Sequence, residues 1–290
     1  MTTTTTRTYQ LPNTKTENDR LELQHNLLLK TFHGLYRAPL SPPTIHRVLD
    51  IGCGTCNWPI AFAHQHPHAH VLGVDIESKP EAQQKAPFPQ NFTLHLADLE
   101  EEATWKDLGQ FEFIHARFLA VVVRDWPKMI QRCLEHLAPG GWLELQDLYL
   151  PPQCLDCTPE EAAQSKVLEW SRLMGEASSK LGLKMDTPGT FPQVLQTVGF
   201  QDVKGEDFKY YTGPWDESSE ETMEFGRLGQ ECLIMGTPGF SETLFTTQLG
   251  WTEQQHAEYV AEVVQEMREV KFKTFIPVKI CYGRKPAAAA

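Results

Sequence analysis

Residues Val48-Leu-Asp-Ile-Gly-Cys-Gly-Thr-Cys56 run from a short apolar segment straight into Gly52-x-Gly54. A strand that ends in such a turn and passes into a helix restricts the fold more than any other stretch. Glycine lets the backbone turn sharply and lets a ligand approach the main chain. In an open α/β sheet the loop stands at the carboxyl ends of the strands, where ligands bind. The following segments keep the alternation. Val71–Val74, Phe92–Ala97, Phe111–His115 and Trp142–Gln146 read as further strands. Helices are predicted over Pro59–His66 and Pro127–Leu137, the second ended by Pro139-Gly140-Gly141. Strands and helices alternating at this pitch imply a parallel, doubly wound α/β sheet.

The flanks are read in the same way. Thr16-Glu17-Asn18-Asp19 fits a helix start, and Leu21, His25, Leu28 and Phe32 follow at helical spacing to about Leu35. Pro39, Pro42 and Pro43 stop that helix. In the second half, helices are expected over Glu160–Leu181 and Phe191–Val198, and strands over Gln201–Tyr211 and Phe275–Arg284. A helical insertion separates those two strands, and its last helix opens with the Thr252-x-x-Gln255 box. The expected organisation is a disordered tail over 1–13 and one domain over 14–286, with a short C-terminal tail over 287–290. Helical cap insertions fall at about 152–187 and 214–272.

Composition narrows the class of function. With 290 residues, 41% of them hydrophobic, the chain can bury a real core. Its net charge of −12 disfavours nucleic acid and anionic lipid as partners. The most apolar stretch, Phe118 to Val123, is far short of the roughly 20 residues of a membrane span. The threonine-rich start has no secretory character. Seven cysteines, an odd number, suit reduced thiols in the cytoplasm better than a disulfide framework.

The loop is not the dinucleotide fingerprint G-x-G-x-x-G, because Asn57 stands where the third glycine belongs. Asp50 precedes the first glycine, and a carboxylate there disfavours pyrophosphate. A cationic or zwitterionic ligand tolerates it better. Asp75 ends the second strand, where an acid accepts from ribose hydroxyls. Asp98 ends the third, where an acid can accept from an adenine amino group while Leu99 packs on the ring. Aspartates also end strands simply because turns favour them. Three in register beside a glycine loop point to an adenosyl ligand.

With these residues the chain resembles class I S-adenosylmethionine-dependent methyltransferases. More narrowly, it resembles the fungal methyltransferases of secondary metabolism, a group that includes a velvet-associated regulator. The landmarks are Glu17 to His25, Val48 to Trp58, Phe113-Ile-His-Ala-Arg117, Asp125-Trp-Pro127, Leu137 to Asp147, Gly213-Pro-Trp215, Gly250-Trp251 and Tyr282 to Pro286. The resemblance implies a Rossmann-like seven-stranded sheet whose last two strands form an antiparallel pair, under a helical cap. It implies S-adenosyl-L-methionine as cofactor, held by Asp50, Gly52, Cys53, Gly54, Asp75, Ile76, Asp98 and Leu99. His115, Ala116 and Arg117 would also bind the cofactor, where strand four ends beside the sulfonium and the acceptor. Arg20, Gln24 and His25 would close over the cofactor. One departure stands out: Cys56 replaces the third glycine of the family's G-x-G-x-G loop, which demands a negative φ or some strain.

Methyl transfer needs alignment, a dry pocket and sometimes a base. His115 is the first candidate for that base and His25 the second, although a histidine at His115 could also fill the sheet edge. Asp147 and Tyr149 could orient a substrate or cap a turn. Met223, Phe225, Met235 and Phe240 could line an apolar acceptor pocket or form ordinary core. No metal is expected. Cys53, Cys56, Cys154 and Cys157 lie too far apart for a zinc module, and the last two read as plain loop thiols. His64, His66, His68 and His70 read as a polar connection, and Glu100-Glu-Glu102 as a solvated face. The expected function is methyl transfer to an oxygen or nitrogen of a small-molecule secondary metabolite. The alternative is a cofactor-binding regulator or protein methyltransferase acting in a complex. The oligomeric state stays open.

Overall fold

A computed structural model describes residues 14–77, 85 and 87–288. The tail expected over residues 1–13 lies outside these residues, as do the last two of the C-terminal tail. The first helix, α1 (Lys15–Phe32), starts two residues earlier than the Thr16 box implies. Thr14 is its N-cap and accepts from the Glu17 N–H at 3.2 Å. It stops short of Leu35 because His33 turns left-handed, at φ 55°, and Gly34 closes back on Leu29.

The sheet is built from β1 (Arg47–Ile51), β2 (His70–Asp75), β3 (Phe92–Leu96), β4 (Phe111–Arg117), β5 (Leu137–Leu148), β6 (Gln153–Cys154), β7 (Gln201–Tyr211) and β8 (Thr274–Arg284). Strands β3-β2-β1-β4-β5 run parallel in that order. The order reverses between β1 and β4, which creates a crevice at their carboxyl ends. β8 pairs antiparallel with β5 on one edge and with β7 on the other. The antiparallel end pair is therefore present, and the two-residue β6 is an eighth strand on the β5 edge of β8. β5 begins at Leu137, before the proline and glycines read as a helix end, with a register shift opposite β4 between Phe111 and Phe113.

Alternation along the strands divides the core in two. Val48, Phe113, Val278 and Ile280 face one way, with α1 and α2 (Asn57–Gln65) packed over them. Leu49, Ile51, Ile114, Leu143 and Leu145 face the other, against α4 (Trp126–His136) and α7 (Phe191–Val198). A short α3 (Glu102–Trp105) follows β3. The helix expected over Glu160–Leu181 is two: α5 (Pro159–Ala162) and α6 (Lys166–Lys180). The break has a cause. Glu266 accepts from Ser165 Oγ at 2.6 Å and from the Lys166 and Val167 N–H groups, so a carboxylate caps a fresh helix start.

Glu266 belongs to α9 (Glu253–Glu269), which opens with the expected Thr252–Gln255 capping box. Before it, α8 (Glu220–Gln248) lies along α1. Gly229 lets it approach β7, since a Cβ there would sit 2.1 Å from the Tyr211 carbonyl oxygen. Among the described residues no helix is long and apolar enough to cross a membrane. Cys154 and Cys157 form a disulfide, with Cα atoms 5.6 Å apart, against the expectation of plain loop thiols. Their two-residue spacing brings the pair together locally, beside β6. The other five cysteines are free.

Candidate active site

The Gly52 and Cys53 N–H groups both donate to the Val74 carbonyl, at 2.8 and 3.1 Å, which folds the loop over the end of β2. Gly54 N–H donates to Asp75 Oδ2 at 2.7 Å, so the acid at the end of β2 braces the glycine loop directly. Gly52 has φ 67°, and a Cβ there would meet Leu119 Cδ2 at 2.5 Å. Gly54 has φ 54°, and a Cβ there would meet nothing within 4 Å. The loop is thus pinned from beneath and open above Gly54.

Cys56 takes the strained alternative. Its φ of 61° and ψ of 18° are left-handed, and its side chain is wholly buried as the N-cap of α2. A non-glycine residue held there costs of order 1–3 kcal/mol. Its Sγ lies 3.9 Å from that of Cys53. The contact with Cys56 and burial together raise the Cys53 thiol well above its ordinary pKa. Phe118 is also left-handed, at φ 59°, immediately after β4. The two strained residues flank the crevice at the ends of β1 and β4.

Beneath the loop, Asp50, His115 and Glu144 are register partners across β1, β4 and β5. His115 Nδ1 lies 2.7 Å from Asp50 Oδ1. The ring is fully buried and stacks on Trp58 at 3.7 Å and 3°. Trp58 is fixed in turn by its Nε1 donating to the Leu35 carbonyl at 2.8 Å. His115 Nε2 has no partner and no access to solvent. In this structure the side chain holds Asp50 and its other nitrogen is enclosed, an arrangement that speaks against the expected role as a base. Glu144 accepts from the Arg37 and Ala38 N–H groups and from Gln146 Nε2. Burial raises its carboxyl pKa despite those bonds.

His25 reaches over the end of β4 from α1. Arg117 Nη2 donates to His25 Nδ1 at 3.0 Å, which leaves the imidazole proton on Nε2. Burial, then Arg117, Lys85 and His115, push the His25 pKa down to about 3. That lowered basicity, with Nδ1 already accepting from Arg117, speaks against the second candidate base. Arg20, instead of facing the crevice, pairs with Glu17 at 2.7 Å and lies over Phe240.

The remaining candidates separate. Ile76 is half-buried just past β2. Asp98 accepts from the Glu100 N–H at 2.8 Å. Leu99 is 6% exposed and sits in the second core, its carbonyl held by Trp105 and Arg132, so it offers an adenine ring little surface. Ala116 is buried in the same core. Asp147 accepts from the Leu119, Ala120 and Leu148 N–H groups, between 2.7 and 2.9 Å. It pins the loop after β4, and burial lifts its pKa to about 7. Both oxygens are engaged, so it caps a turn and does not orient a substrate. Tyr149 packs on Gly189, whose ideal Cβ would lie 2.7 Å from its ring. Phe225 is core, and Met223 and Met235 are half-buried. Trp58 was missed as a site residue. Its place next to the loop was visible, but stacking on a strand-four side chain has no local signature.

An adenosyl cofactor fits this edge. A space over Gly54 that a side chain would fill, and acids at the ends of β2 and β3, supply what its ribose and base require. A family model for a methyltransferase domain matches residues 23–204. Methyltransferase pytC of Aspergillus terreus is 31% identical over 96% of this chain and 83% of its own length. The secondary metabolism regulator laeA of Aspergillus fumigatus is 29% identical over 97% and 73%. The YcgJ protein of Bacillus subtilis has the same fold at 18% identity, with a TM-score of 0.50 over 91% of this chain and all of that one. A loop built for an adenosyl group and a domain match over most of the chain agree: this chain belongs to the S-adenosylmethionine-dependent methyltransferases that carry this domain.

Proposed function

We propose that the chain methylates an oxygen or nitrogen of a small-molecule acceptor in secondary metabolism, in the cytoplasm. The observation that carries this reading is the cover over the reaction edge. α1 buries Gln24 and His25 above the end of β4, and α8 packs against α1. An edge covered by helices in this way suits a small acceptor. The likeness to pytC, itself named a methyltransferase, supports it.

When bound, the cofactor supplies an electrophilic methyl group on sulfonium. The protein contributes placement. The open space over Gly54 would form the floor, Asp75 and Asp98 would take the ribose and adenine, and Ile76 would cover the sugar. Asp50, held by His115, balances the positive methionine end. Arg117 and His25 face the reacting atoms. With His115, His25 and Asp147 engaged in internal hydrogen bonds, this reading assigns the rate to alignment.

Methyl-labelled S-adenosylmethionine tests this with the purified protein and a lysate of the source organism. Label is expected in the solvent-extractable fraction. Label in the protein precipitate would reject the reading and favour the second one, a protein methyltransferase or regulator, which the laeA likeness supports. Cys56→Gly is expected to leave calorimetric affinity for S-adenosylhomocysteine equal or tighter, because it relieves a left-handed backbone. A loss of about tenfold, worth 1.4 kcal/mol, would give the thiol a specific task.

A further inference from the structure

Arg117 ends β4 where the strand order reverses, and among the described residues it makes no ion pair. Among the described residues its one side-chain hydrogen bond goes to His25 Nδ1. That imidazole is neutral, with its pKa held near 3. Asp50 acts on the guanidinium from a distance, while its Oδ1 accepts from His115. Burial pulls even the Arg117 pKa down, to about 10. A guanidinium carries five donors in a rigid fork and stays charged. Half-buried opposite a neutral ring, the fork keeps donors to offer an anion that a ligand brings.

The place of Arg117 separates this subsite from the cofactor cradle. The glycine loop, Asp75 and Asp98 stand at the carboxyl ends of β1, β2 and β3, on one side of the switch point. Arg117 stands on the other side, under His25 of α1. The nearby groups that could have served as bases are engaged. His115 is sealed under Trp58, Asp147 is filled by three N–H donors, and Glu144 is filled by Arg37, Ala38 and Gln146. An acceptor that ionises readily needs none of them.

We propose that the acceptor is an acidic oxygen compound, a phenol, enol or carboxylic acid, bound as its oxyanion against the Arg117 guanidinium. This rests on the methyl-transfer reading above and names its substrate class. The acceptor proton leaves to solvent on binding. The oxyanion lone pair then forms the C–O bond as the C–S bond breaks, and that bond's electron pair stays on sulfur. An anion and a sulfonium cation become a neutral ether or ester and a neutral thioether. His25 steers the fork by accepting from Nη2.

The test uses the protein saturated with S-adenosylhomocysteine and titrated with 4-nitrophenol, whose ionisation is read from its visible absorption. The bound phenol should ionise about one pH unit lower than in buffer, the effect of a cation within about 4–6 Å. Arg117→Gln should abolish that shift and weaken phenolate binding about tenfold or more, the scale of a lost hydrogen bond to a charged group. Arg117→Lys should retain part of it, as a point charge without the fork. Affinity for S-adenosylhomocysteine should move by less than about threefold in both variants, the scatter of an unrelated substitution. Absence of the shift in the wild-type complex would overturn the proposal, as would its persistence in Arg117→Gln. A large loss of S-adenosylhomocysteine affinity with an unchanged phenol shift would overturn it too, assigning the guanidinium to the cofactor's carboxylate. Melting curves accompany each variant, and Arg117→Met, which keeps the apolar stem, replaces Arg117→Gln if that one does not fold. Failure of S-adenosylhomocysteine to bind the wild-type protein would instead strike the methyl-transfer reading itself.

Discussion

Trp58→Ala should lower the stability of this protein by about 3–5 kcal/mol, read as a shift of the denaturant midpoint. The indole is 2% exposed and stacks on two rings, His115 at 3.7 Å and Phe62 at 5.1 Å. Truncation leaves a cavity where three elements meet and strips the Leu35 carbonyl of its Trp58 donor. It also frees His115 to rotate away from Asp50. Stability and cofactor affinity should therefore fall together. A large loss of stability with unchanged S-adenosylhomocysteine affinity would show that the stack serves the core alone, and that Asp50 needs no brace. Trp58→Phe, which keeps an aromatic face without the N–H, should recover most of both.

Asp75→Ala should weaken S-adenosylhomocysteine binding by about 1–3 kcal/mol in calorimetry, the scale of hydrogen bonds to a charged group. Two effects add. The ribose loses its acceptor, and Gly54 N–H loses the oxygen 2.7 Å away that braces the loop. Asp75→Asn separates them, because its amide oxygen can still accept from Gly54 while the charge is gone. Unchanged affinity in Asp75→Ala would reject the ribose role. An equal loss in both variants would place the effect in the charge, and a loss confined to alanine would place it in the loop.

Much of this was legible along the chain. The alternation from Arg47 onward carries its own period, so β1 to β4, α2 and α4 fall within a few residues of expectation. Asp50, Gly52, Gly54 and Asp75 were legible as a group because a strand end and a glycine turn fix them locally. Features set by distant partners were not. The break before α6 depends on Glu266, a hundred residues away in the chain. The start of β5 depends on its partner β4 rather than on its own proline and glycines. His115 reads as a base because a strand end usually faces solvent, yet α1 and Trp58 close over it. His25 lies over the end of β4, but its lowered basicity comes from burial and a cation on another element. No periodicity reports either.

The position of β8 has a consequence for how the molecule is made. This strand lies between β5 and β7, although it is the last of the eight to leave the ribosome. Until residues 274–284 emerge, β5 and β7 present unpaired edges to their surroundings. Exposed edges invite wrong partners, and pairings so distant in sequence form slowly. The nascent chain should therefore depend on chaperones late in translation. Lesions in the final strand should reduce yield before they touch any chemistry at the crevice.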